Sequence, residues 1–173
     1  MSERSITETA QTNSAPVHMR RTVLRVELWR LAIAVLWIGM VGAIAFIEAP
    51  LKFTAPGITI PLGLGIGRLV FFALNLCEGL LLLATTALAF WPRVTRLSGR
   101  RILPWTGMLL VFAFKIAVVR PPLNARTEQV LQGADPGQSI WHYVYIACDL
   151  LTLVLLLICA IQAARSAVRE GSR

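Results

Sequence analysis

Several polar residues of this chain stand inside otherwise apolar stretches, at spacings that put them on common helical faces. Arg68, Phe71, Asn75 and Glu78 follow one another at i, i+3, i+7 and i+10, which is a single stripe of a helix. His142, Tyr145 and Asp149 follow at i, i+3 and i+7 and form a second stripe. Lys115 lies about one turn inside a third apolar run. Two carboxylates and an amine held together in apolar surroundings can bind a cation or relay protons. They can equally form a satisfied ion network that sets how helices pack.

The elements that must position these residues are four long apolar runs, at 31–47, 69–90, 102–119 and 140–164. Each approaches or exceeds the roughly 20 apolar residues that cross a hydrocarbon layer about 30 Å thick. Of the 173 residues, 56% are hydrophobic and only 15% charged, which is too apolar for a solvated globular surface. The fold class expected is therefore all-α, a polytopic four-transmembrane-helix bundle.

The basic residues fix an orientation. Arg4, Arg20, Arg21, Arg25 and Arg30 precede the first run. Arg93, Arg96, Arg100 and Arg101 separate the second and third, and Arg165, Arg169 and Arg173 follow the fourth. The opposite side carries only Lys52, Arg68, Arg120 and Arg126. This bias, with an even number of spans, places both termini in the cytoplasm of a cell whose inner (plasma) membrane holds the protein. The net charge of +8 is therefore topological. No basic face interleaved with aromatics and no nucleic-acid motif accompanies it, so nucleic acid is excluded as a partner.

In that frame Glu78 lies ten residues in from Arg68, roughly 15 Å along a helix axis, and Asp149 is at similar depth from Ser139. Charge at mid-membrane rarely faces lipid. Glu78 and Asp149 are expected to point into the bundle, pairing with Lys115 or Arg68 or hydrogen-bonding Asn75 and Tyr145. Glu48, Lys52, Arg120, Asn124 and Arg126 lie on the same outer side and are expected at the mouth of a pocket. The ligand- or ion-binding candidates are thus Glu78, Asp149, Lys115, Asn75, Arg68, His142 and Tyr145.

Other chemistries are poorly supported. His142, Asp149 and Glu78 could approach a metal, but ligand spacing on two helices is not diagnostic, and no metal site is assigned. A bis-histidine haem needs two membrane histidines. This chain has His142, with His18 in the cytoplasmic segment. His142 and Asp149 are separated by roughly 10 Å along a helix, beyond the reach of a hydrolase dyad. Cys77, Cys148 and Cys159 all lie in apolar runs without a CxxC motif and read as small core side chains. No catalytic residue is assigned and no cofactor is named.

Residues 1–16 are rich in Ser and Thr and read as a disordered cytoplasmic tail. Residues 17–30 read as a basic interfacial helix running into the first span, and 165–173 as a basic cytoplasmic tail. Thirty residues before the first run, and its length, argue for a retained span over a cleaved signal peptide. The stretch 54–67 (TAPGITIPLGLGIG) carries two prolines and four glycines, a poor helix interior, and is expected to be re-entrant or interfacial. Its Gly63-x-Gly65-x-Gly67 spacing is weak as a phosphate cradle because no strand precedes it. The polar connection 120–139 has room for a short helix from Asn124 to Gln132, closed by Gly133. Gly39, Gly42 and Ala43 offer a small-residue face for a homodimer, or else for close packing inside one bundle.

The segments EAPLKF (48–53), GLGIGRLVF (63–71) with Asn75 and Glu78, and PLNAR (122–126) with Gly133, His142 and Tyr145 resemble a family of uncharacterised bacterial four-span integral membrane proteins. The layout is more distantly similar to the cisplatin-resistance-associated transmembrane protein family. The resemblance implies a four-helix membrane fold and carries no activity. Three functions are weighed. The first is a small-solute or ion-handling protein using the outer cluster. The second is a structural or partner subunit of a membrane complex. The third, an enzyme acting on a lipid or quinone, lacks a nucleophile–base pair.

Overall fold

The computed structural model describes residues 17–91, 95–134, 137 and 139–172. The expected tail 1–16, and Arg93 and Arg173 of the charge pattern, lie outside them. Among the described residues there is no strand. Four helical rods, His18–Thr54, Ile60–Phe90, Gly99–Leu131 and Ile140–Gly171, are each long and apolar enough to cross a membrane.

The first rod is α1 (Val17–Gly42), continued by a π-helical segment, Ala43–Glu48, and two short turns, Ala49–Leu51 and Lys52–Thr54. The second is α2 (Ile60–Phe90). The third joins α3 (Ile102–Phe114), a π-helical segment at Lys115–Val119, and α4 (Arg120–Leu131). The fourth is α5 (Ile140–Gly171). Both π segments end against prolines. The Ala49 N–H donates to the Ile44 carbonyl just before Pro50, and the Arg120 N–H donates to the Lys115 carbonyl just before Pro121 and Pro122. A proline lacks the N–H of an α-turn, and its ring crowds the carbonyl four residues back. One wide turn accommodates both defects and the rod continues.

The glycine-rich stretch departs from expectation. Residues 60–67 are helical, and α2 begins nine residues before the expected span. Thr59, extended at φ −91°, accepts a hydrogen bond from the Leu62 N–H at 3.4 Å, and a proline occupies the first turn. Gly57, at φ +81°, makes the reversal that delivers the chain to this cap. The connection after the third rod also differs. It is helical from Arg120, four residues earlier than expected, and ends before Gly133 at φ +89°.

Residues 17–30 run without a break into the first rod, and they bury Val26, Glu27 and Arg30 against the bundle. The segment 165–171 likewise completes α5. Arg20 donates to the Glu170 carbonyl at 3.1 Å and ties the two ends together. The termini of the described chain therefore share one end of the bundle, called here the terminal end. The 55–59 turn and α4 mark the distal end.

The apolar core holds Ala34, Trp37, Val41, Leu74, Leu82, Met108, Leu156 and Ala160. Ala34, Ala160, Ala163 and Ala167 are buried where α1 and α5 approach closely. The rest of the pattern is inverted relative to a water-soluble protein. Leu69, Phe72, Leu76, Leu80 and Leu83 form an outward stripe on α2, each more than half exposed, while Glu27, Glu78, Lys115 and Asp149 are buried. A Cβ added at Gly39 or Gly42 would meet nothing within 4 Å, so these glycines do not serve close packing inside this bundle.

Candidate functional site

The deepest polar group in the distal half is an ion triad. Lys115, fully buried, donates to Glu78 Oε2 at 2.5 Å and to Asp149 Oδ1 at 2.9 Å. The three residues come from the second, third and fourth rods. The first rod adds Trp37, whose indole N–H donates to Glu78 Oε1 at 3.3 Å. Lys115 opens the π segment of the third rod, so the wide turn enforced by Pro121 lies directly beside the triad. Its ammonium also sits 5.1 Å from the centroid of the Tyr145 ring, within range of a cation–π contact.

Beside the triad, the Tyr145 hydroxyl donates to Asn75 Oδ1 at 2.9 Å. Asn75 is 3% exposed, and its Nδ2 has no hydrogen-bond partner among the described residues. Phe71 meets the Tyr145 ring edge-on with centroids 5.3 Å apart, which holds that ring in place.

Above these residues lies a cavity of about 470 Å³. Its walls include Phe46, Phe53, Leu64, Phe71, Leu123 and Ile146. Its polar lining includes Lys52, Arg68, Asn75, Arg120, Asn124, Thr127, His142, Tyr145 and Asp149. Glu78 and Lys115 are not part of the lining. Among the described residues, three lining residues are cationic, and the one lining carboxylate, Asp149, accepts from Lys115, which it shares with Glu78.

The glycines of α2 explain how the cavity wall is built. A Cβ on Gly63 would collide with the Phe53 ring, and one on Gly67 would lie 2.8 Å from Lys52 Nζ. The two glycines are four residues apart, on one face, and let the Lys52 and Phe53 side chains lie across the helix. Lys52 Nζ then sits 5.5 Å from both the Phe53 and Phe71 ring centroids, and 3.4 Å from each Glu48 carboxylate oxygen.

The expected site residues are placed as follows. Glu78, Asp149 and Lys115 converge, and Asn75 with Tyr145 adjoins them. Arg68 does not reach Glu78; it pairs with Glu128 at 2.7 Å, because α4 packs against α2. Arg120 lies over the Phe72 ring at 4.9 Å. His142 and Asn124 line the cavity, and Glu48 reaches it only through Lys52. Arg126 is half-buried on α4 and outside the lining. Among the described residues, no three His, Cys, Asp or Glu side chains are grouped to hold a metal.

A second charged cluster escaped the sequence reading. At the terminal end, Glu27 accepts from Arg30 at 2.9 Å, and its two oxygens accept from Arg101 at 3.0 and 2.9 Å. Arg30 also donates to the Thr95 carbonyl at 2.6 Å and to the Leu88 carbonyl. The i, i+3 spacing of Glu27 and Arg30 was the available signal. Trp37 was missed as well, although an indole N–H in the middle of an apolar run needs a partner.

The fold and site define a helical bundle of four span-length rods with a buried ion triad beneath an amphipathic cavity. No protein-family model, curated protein or solved structure matches the chain.

Proposed function

We propose that this is a multi-pass protein of the plasma (inner) membrane, with cytoplasmic termini, that holds a small solute in the distal cavity facing the outside. The single observation that carries the reading is the cavity itself. Its volume falls within the roughly 300–1,000 Å³ typical of small-molecule sites. It also ends on a buried amide with an unmatched donor, Asn75 Nδ2. Positive charge concentrated at the terminal end supports the orientation.

The triad favours the structural reading for its own three residues. Lys115 already occupies the place a cation would take between Glu78 and Asp149, so the triad acts as a plug that fixes the helices beneath the cavity. Cation binding by the two carboxylates, the first expectation from sequence, is not retained.

Native mass spectrometry of protein released from mild nonionic detergent tests the proposal, with Leu123→Trp as a cavity-filling variant. A one-to-one small-molecule adduct on the wild-type protein, lost from a variant that still elutes as the folded species, is the expected result. Equal lipid adducts on both proteins, and nothing else, would overturn it.

A further inference from the structure

Resting on the cavity reading above, we infer that the ligand is an amphiphile whose polar head is an oxyanion, a carboxylate or a phosphate, joined to an apolar body. Four observations converge on this. The described lining holds three cations and one carboxylate; Arg68 is paired with Glu128 and Asp149 with Lys115, which leaves Lys52 and Arg120 as the charges nearest to hand for a ligand. Arg120 makes no ion pair with a carboxylate among the described residues and lies over the Phe72 ring. Lys52, whose side chain is 11% exposed, is held over the cavity by the absence of a side chain at Gly67, and its contact with Glu48 is long at 3.4 Å. The Tyr145 hydroxyl consumes the acceptor of Asn75 and leaves the amide donor unmatched.

The left-over groups that are charged or fully buried, Lys52, Arg120 and Asn75 Nδ2, are therefore hydrogen-bond donors, while Asn124 and His142 can donate or accept. A donor buried without a partner costs free energy that an acceptor on a ligand would recover, and charge-assisted bonds recover most. A cationic ligand would leave all of these donors unmatched and add repulsion from Lys52 and Arg120. The aromatic and aliphatic walls at Phe46, Phe53 and Leu64 then cover the apolar body.

Two sources share this head-group chemistry, a free carboxylic amphiphile and an anionic phospholipid. The test compares decanoate, decanol and decyltrimethylammonium on the full chain in nonionic detergent, with occupancy read by native mass spectrometry at matched concentration. Decanoate is expected to bind at least roughly tenfold more tightly than decanol, the ratio for one charge-assisted hydrogen bond, and the quaternary amine more weakly still. Arg120→Gln and Lys52→Gln should each narrow the decanoate-to-decanol ratio without changing decanol occupancy. Competition by phosphatidylglycerol would identify a lipid head as the source, and its absence a free amphiphile. Equal binding of decanol, or preference for the quaternary amine, would overturn the oxyanion inference and leave the cavity reading standing. Binding of none of the three would overturn both.

Discussion

The two ends of the bundle bury charge in different ways. At the terminal end, Arg30 and Arg101 converge on Glu27, and Arg30 also binds the carbonyls of Leu88 and Thr95. These bonds tie the first rod to the connection between the second and third. The space left is a void of about 40 Å³. At the distal end Glu78, Lys115 and Asp149 are paired as well, and both ends keep unmatched buried donors, Arg30 Nε and Arg101 Nε at one and Asn75 Nδ2 at the other, yet a cavity more than ten times larger remains above the distal triad. Buried ion pairs alone therefore do not mark a binding site. What separates the two ends is how much open space is left after the helices are joined.

That contrast can be broken most forcefully at Lys115. Lys115→Met leaves two carboxylates buried without a counter-charge. It should destabilise the folded protein by about 3–5 kcal/mol, read as a fall in the thermal midpoint in detergent. Adding Glu78→Gln and Asp149→Asn to the same chain should restore most of the loss, because the remaining groups are neutral and of similar shape. Failure of the triple variant to recover would mean that the charges do more than hold the helices.

At the other end, Glu27→Gln should cost about 2–3 kcal/mol, since Arg30 is buried and Arg101 is partly open to solvent. Decanoate occupancy should not change. A loss of ligand binding in this variant would erase the distinction between the two ends.

The glycine face sharpens the comparison with smaller effects. Gly63→Ala gains helix propensity of roughly 1 kcal/mol but overpacks the Phe53 ring by about 1–3 kcal/mol, so a modest net loss of stability is expected. Gly67→Ala meets only the far end of a flexible lysine. Its stability, followed by the thermal midpoint, should stay within about 1 kcal/mol of the wild type. Displacing Lys52 Nζ should nonetheless weaken decanoate binding several-fold in a titration. Weakened binding at unchanged stability would locate the lysine's role in the cavity.

The arrangement of charged residues was legible to different degrees. The stripes holding Asn75, Glu78, Tyr145 and Asp149 could be read directly, because helical spacing is local and a charge inside an apolar run must turn inward. The partner of Arg68 could not. Glu128 reaches it because α4 continues the third rod beyond the π turn before Pro121 and packs against α2. The same local defect hid the true length of the first rod before Pro50. The glycines misled for a related reason. Propensity argues against a helix at 60–67, whereas the Phe53 and Lys52 side chains require one face of that helix to be bare.

By itself the sequence determined the four span-length helices, the side on which basic residues gather, and the identity of the two buried acids of the distal half. These follow from hydrophobic periodicity and the cost of placing charge in an apolar medium, both properties of a residue and its near neighbours. The tertiary structure alone decided that Lys115 would pair with both acids and that Arg68 would turn away to Glu128. It also decided that an amide donor would be left facing a cavity rather than another side chain. Pairing is settled by distances between helices far apart in the chain, and no spacing along one helix encodes them.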